Sequence, residues 1–115
     1  MKIWARSYVL SVDDSSLLVF GADSGLDLIS CKGVTTIASD TWYHALATCD
    51  QDGCSVYLNA SLDGHTYEPG RKPINNGSLV LRFGREPDGN YPADGTIDDV
   101  RIYSRALSEE EIWQL

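Results

Sequence analysis

The sequence predicts an all-β sandwich that ends in a short carboxy-terminal helical turn. Three observations carry this expectation. Brief apolar runs recur between clusters of Gly, Asp and Ser, a rhythm that suits a sandwich better than a helical fold. Residues 54–60 alternate, with Cys54, Val56 and Leu58 on one side and Ser55, Tyr57 and Asn59 on the other, which is the period of a strand. The final SRALSEEEIWQL places Ser108 as a helix cap with Glu111 at the third helical position, a reciprocal capping box.

In chain order, residues 3–12 contain Ile3, Trp4, Tyr8, Val9, Leu10 and Val12 and read as one strand or two short ones. Asp13, Asp14, Ser15 and Ser16 supply turn-forming side chains. Leu17 to Phe20 is a second short strand ended by GADSG, and Leu26 to Ile29 repeats the pattern. Thr41 to Cys49 and Cys54 to Ala60 flank DQDG as a hairpin. Either a tight Asp-Gly turn or a four-residue loop serves, and only the loop sets Cys49 opposite Cys54. Leu62 to Tyr67 is a weaker strand because Asp63 and Gly64 can turn the chain. EPGRKPINNG is a loop, SLVLRF alternates as a strand, and GREPDGNYPADG is a second polar loop. Thr96 to Tyr103 reads as a strand bent near Asp98 and Asp99. Glu109 and Glu110 favour the positive end of the terminal helix, and Ile112 or Trp113 is expected to pack it on the sheet, since so short a helix is marginal alone.

The 115 residues suit a single domain over residues 1–115. Apolar residues make up 43% of the chain and are spread along it, so a packed core is expected. Seventeen acidic residues against nine basic ones give a net charge of −8. That sign opposes polyphosphate backbones and anionic lipid surfaces, which excludes nucleic acid as the expected partner. No run approaches 18 consecutive apolar residues, so membrane insertion is not expected. The opening MKIWARSYVLSVDDSS has no secretory apolar region.

Two segments carry a family resemblance. DTWYHALATCDQDGCSVYLNA resembles the central hairpin of laminin G-like, concanavalin A-like domains, with a Trp-Tyr-His run entering one strand and Tyr-x-Asn in the next. DGTIDDVRIYSRALSEEEI resembles their closing segment and is the more specific of the two. The resemblance implies a jelly-roll sandwich of two curved antiparallel sheets. It also implies a recognition module for sugars, glycosaminoglycans or proteins, often assisted by calcium and used extracellularly or at the cell surface. The family's usual amino-terminal portion has no counterpart before KIWARS. A truncated sandwich of this kind either uses fewer strands or leaves an edge that another chain could cover.

Catalytic patterns are weak by comparison. Glucanases on this fold carry Glu-x-Asp-x-x-Glu on a strand to place two acids, and the sequence lacks it. Asp98 and Asp99, as strand neighbours, would face opposite sides and form a local network with Arg101. There is no Gly-x-Ser-x-Gly elbow, phosphate loop or HExxH motif. His44 reads as a structural strand residue and His65 as an exposed turn residue. Cys49 and Cys54 suit either a cross-hairpin disulfide or two buried thiols, leaving Cys31 free within or beside a strand. Trp4, Trp42, Tyr57 and Tyr103 could form a stacking surface, but the core is the commoner place for such rings, Trp42 above all.

The resulting expectation is a noncatalytic, lectin-like carbohydrate-binding module rather than an enzyme. A sugar site combines an aromatic platform with convergent hydrogen-bonding groups. The loop GREPDGNYPADG offers Arg85, Asp88, Asn90 and Tyr91 for that purpose, Tyr91 stacking and Asp88 and Asn90 holding hydroxyls. Calcium is a candidate cofactor through Asp88, Asn90 and Asp94, with Asp50 or Asp52 added if the ends converge. The alternative is a protein-interaction or self-assembly domain, a homodimer joined through the exposed sheet edge.

Overall fold

The computed structural model describes residues 8–23, 28–70, 81–84 and 94–115. They contain two three-stranded antiparallel sheets and one short helix. Strands β1 (Tyr8–Val12), β2 (Leu18–Asp23) and β3 (Leu28–Lys32) form the first sheet in chain order. Strands β4 (Ala45–Asp50), β5 (Gly53–Leu58) and β6 (Ser61–Tyr67) form the second, and α1 (Glu109–Trp113) closes the chain.

The β1–β2 turn is built by Asp13, as its position between two apolar runs foretells. Its carboxylate accepts from Ser15 N at 2.9 Å and Leu17 N at 3.0 Å and pairs with Lys32 on β3. Those contacts hold the Asp13 carboxyl below the usual range, the Lys32 hydrogen bond first among them. β2 runs on through Gly21 and Ala22, both buried. The small residues of GADSG therefore serve close packing at their start instead of ending the strand at Phe20.

The hairpin β4–β5 adopts the register that sets Cys49 opposite Cys54, with Asp50 opposite Gly53, and the two cysteines form a disulfide with Cα atoms 4.2 Å apart. Asp50 Oδ1 accepts from Asp52 N at 2.8 Å and so stabilises the turn. Cys54, Val56 and Leu58 all point into the core, as their alternation requires. Cys31 is the free, buried cysteine on β3, and burial pushes its thiol pKa up.

Strand β6 departs from its sequence reading. Asp63 and Gly64 do not turn the chain; they form a bulge, where the partners step from Val56↔Gly64 to Tyr57↔Leu62. Asp63 is thereby aimed at the loop after β3, where it accepts from Val34 N at 3.1 Å and from Thr35 N at 3.3 Å and Thr35 Oγ1. A Cβ on Gly64 would collide with the Lys32 carbonyl, and one on Gly33 with the Asp63 carboxylate. Glycine at 64 lets β6 approach the Lys32 backbone, and glycine at 33 leaves room for the Asp63 carboxylate.

The core lies between the sheets. Leu18, Ile29 and Cys31 from the first meet Cys54, Val56 and Leu58 from the second, flanked by Phe20, Ile37, Tyr43, Ala47 and Cys49. Strand β1 overhangs it. Tyr8, Leu10 and Val12 lie opposite Ala22, Phe20 and Leu18 and so share the core-facing side, yet they are 40%, 41% and 53% exposed.

Three further strand expectations are corrected. β4 starts at Ala45, not Thr41: Asp40 has a left-handed φ of 56° and the Tyr43 hydroxyl accepts from Ala38 N at 2.9 Å, so residues 38–44 fold as a loop. Residues 81–83, the described part of SLVLRF, are not in a strand, and neither are residues 96–103. In the latter, Asp99 takes a φ of 51° and its carboxylate turns back to grip Arg101, which breaks the extended path. Residues 96–103 consequently sit exposed.

The capping box forms as expected. Glu111 N donates to Ser108 Oγ at 3.2 Å while Ser108 N donates to the Glu111 carboxylate at 2.8 Å, and Arg105 forks onto the same carboxylate with two 2.8 Å bonds. Ile112 is buried and Trp113 exposed. Tyr57, outside the central cluster, has its pKa raised by burial and then by the charge of Glu109 at the start of α1. The Arg105 hydrogen bond leads the contacts that bring Glu111 down from 4.5 to about 2. A carboxyl depressed on folding stabilises the fold above its unfolded pKa and loses that contribution as pH falls through the folded one. Amide exchange across α1 is therefore expected to quicken as pH drops from about 4.5 toward 2 after correction for intrinsic rates, and Arg105→Gln to shift that loss to higher pH.

Candidate functional site

Loop 38–44 and the closing segment meet in an open cleft of about 320 Å³ lined by Trp42, Tyr43, His44, Asp98 and Asp99. One wall is anchored twice. The Tyr43 hydroxyl is tied to Ala38 N at 2.9 Å and its ring packs on the core. The backbone of His44 is bracketed by Asn59, donating to Asn59 Oδ1 at 2.9 Å and accepting from Asn59 N at 2.8 Å. Held this way, the loop turns Trp42 outward, 68% exposed. The sequence reading of Trp42 as a core ring is thus overturned, because the strand that would have buried it begins three residues later.

The closing segment adds two acidic residues to the lining. Asp98 Oδ1 accepts from Asp99 N at 2.8 Å, and Asp99 receives Arg101 Nε at 3.0 Å and a terminal guanidinium nitrogen at 3.1 Å. Asp98, Asp99 and Arg101 do form the local network expected of them, and that network also borders the cleft. An exposed indole and two carboxylates lining one cleft offer an apolar face and hydroxyl acceptors together, the combination a sugar ring can use.

Arg85, Asp88, Asn90 and Tyr91 are outside the described residues. Asp94 is exposed, and among the described residues no three His, Cys, Asp or Glu side chains converge on a common point. His44 precedes β4 instead of lying within it, and His65 is not a turn residue: it sits in β6, where Nδ1 shares a 2.8 Å hydrogen bond with Ser55 Oγ. Tyr57 is buried and Tyr103 is exposed. Ser39, Asp40 and Thr41 immediately before Trp42 were the available signal that this ring stands at a loop boundary.

Two packed antiparallel sheets with a short carboxy-terminal helix define a concanavalin A-like β-sandwich. The chain belongs to the concanavalin A-like lectin/glucanase superfamily, whose laminin G-type family model matches residues 4–113. Over 81 residues it is 30% identical to adhesion G-protein coupled receptor V1 of Danio rerio, a stretch that covers 70% of this chain and 1% of the receptor. An S-layer domain-containing protein from Clostridium thermocellum shares the fold, with a TM-score of 0.51 and 21% identity over 96% of this chain and 57% of that one.

Proposed function

We propose that the chain is a noncatalytic recognition module that binds carbohydrate at the Trp42–His44 cleft. The observation that carries this reading is the exposed Trp42 lining the same cleft as Asp98 and Asp99. Arg85, Asp88, Asn90 and Tyr91 precede Asp98 by seven to thirteen positions in the sequence, and on this reading they would supply further hydroxyl contacts. Glycosidic cleavage is disfavoured because it uses one protonated and one ionised carboxyl placed across the bond, whereas Asp98 and Asp99 are consecutive and Asp99 is held by Arg101. The adhesion receptor among its relatives fits a binding role. A broad glycan array, run with and without calcium, is expected to give reproducible binding to a small set of sugars. Silence in both arms with folded, disulfide-bonded protein would remove the proposal.

A second reading rests on β1. Among the described residues it is one edge of its sheet, and its core-facing Tyr8, Leu10 and Val12 are uncovered. An uncharged apolar edge strand invites pairing with another chain, and on this reading the occupant is β1 of a second copy. Light scattering is then expected to show a mass that doubles with concentration, and Leu10→Lys to restore the monomer. A single-chain mass at every concentration would dismiss self-assembly.

A further inference from the structure

We propose that Asn59 is an acceptor for an N-linked glycan. Asn59, Ala60 and Ser61 form an Asn-x-Ser tripeptide with no proline in the middle, the pattern that glycosylating transferases read. Its placement in the fold is what makes the tripeptide usable. Asn59 and Ala60 are the two-residue connection between β5 and β6, with φ of 51° and 67°, both left-handed as in a tight primed hairpin turn. Asn59 and Ser61 are exposed.

The asparagine amide also divides its two atoms between two tasks. Oδ1 accepts from His44 N at 2.9 Å, while Nδ2 has no partner among the described residues. The glycan bond is made at Nδ2, so a substituted Asn59 keeps the Oδ1 bond that brackets His44. The Cys49–Cys54 disulfide in the same sheet adds a second, independent pointer. Disulfides persist in oxidising, export-linked compartments, which is where this modification is made.

The chemistry balances without a redox step. Nδ2 attacks the anomeric carbon of an oligosaccharide carried on a polyisoprenyl pyrophosphate. The new N–C bond forms as the C–O bond to pyrophosphate breaks, the lipid pyrophosphate departs with the electron pair, and a carboxylate of the transferase takes the amide proton. The first sugar then stands beside His44 at the margin of the cleft, whatever the cleft binds.

The test is secretion of the full chain from a mammalian cell line, followed by peptide mapping after enzymatic glycan release in heavy-oxygen water. The expected result is an isotope label at residue 59, its loss in Ser61→Ala, and its retention in Ser61→Thr, with each variant's fold checked by circular dichroism. Secreted, disulfide-bonded chain with no label at Asn59 would overturn the proposal, even if Asn76, which begins another such tripeptide, were labelled. Label at Asn59 that survives Ser61→Ala would overturn it as well.

Discussion

Truncating Ile29 to alanine is expected to cost about 2–5 kcal/mol of folding free energy, the range for deleting a large buried aliphatic side chain. Ile29 is 0% exposed and lies on β3, within the cluster that joins Leu18 and Cys31 of one sheet to Cys54, Val56 and Leu58 of the other. The cost has two sources, lost transfer of the removed carbons out of water and the cavity left behind. Collapse of that cavity is resisted on both sides: the cross-sheet approach is fixed by the close fit of Gly64 on the Lys32 backbone and of the Asp63 carboxylate on Gly33, and the β2–β3 register is fixed by paired strands. Since a domain of this size has a net stability of about 5–15 kcal/mol, urea unfolding of Ile29→Ala should show a much lower midpoint with an unchanged slope. Leu10→Ala, on the uncovered part of β1, should shift the midpoint far less. Equal shifts for the two would mean that the core does not lie where the cluster places it.

What the sequence disclosed followed the range of the forces involved. Strand β5 was legible because alternation is a local pattern and Cys54, Val56 and Leu58 obey it in facing the core, although Tyr57 on the other side is buried too; α1 was legible because a capping box lies within four residues. The Cys49–Cys54 register stayed open in sequence, because two turns of similar local merit compete there and the choice depends on β6 pairing with β5 as well. Local propensity misled at Asp63 and Gly64. Their turn-forming character is real, but cross-strand pairing and the docking of Asp63 on Val34 and Thr35 convert a turn into a bulge. Residues 96–103 failed in the opposite direction. An apolar alternation adequate for a strand found no strand partner among the described residues, and the short-range Asp99–Arg101 grip set the backbone instead. The cleft was the least visible feature, because it joins residues 42–44 to residues 98–99 across more than fifty positions of chain, and such a meeting is encoded by topology rather than by spacing.

Trp42→Ala is expected to weaken binding of the array-selected glycan at least tenfold while leaving the fold intact. The two halves of that expectation have separate grounds. Trp42 is 68% exposed, so the folded state draws little of its core burial from this ring and the unfolding midpoint should hardly move. A sugar face covering roughly 100 Å² of the indole would, at about 25 cal/mol per Å², contribute on the order of 2.5 kcal/mol. A loss of only about 1.4 kcal/mol already corresponds to tenfold in affinity. Titration calorimetry on Trp42→Ala and Tyr91→Ala side by side then separates the cleft from the loop chosen on sequence alone. Loss in Trp42→Ala with a smaller effect in Tyr91→Ala places the stacking platform on the loop before β4, with Asp98 as the cleft carboxylate not gripped by Arg101. Asp98→Asn should follow it with a partial loss, since an amide oxygen still accepts a hydroxyl but carries no charge. Loss in Tyr91→Ala with full affinity in Trp42→Ala would transfer the site to residues 85–91, and the exposed indole would then have to be explained by a protein partner.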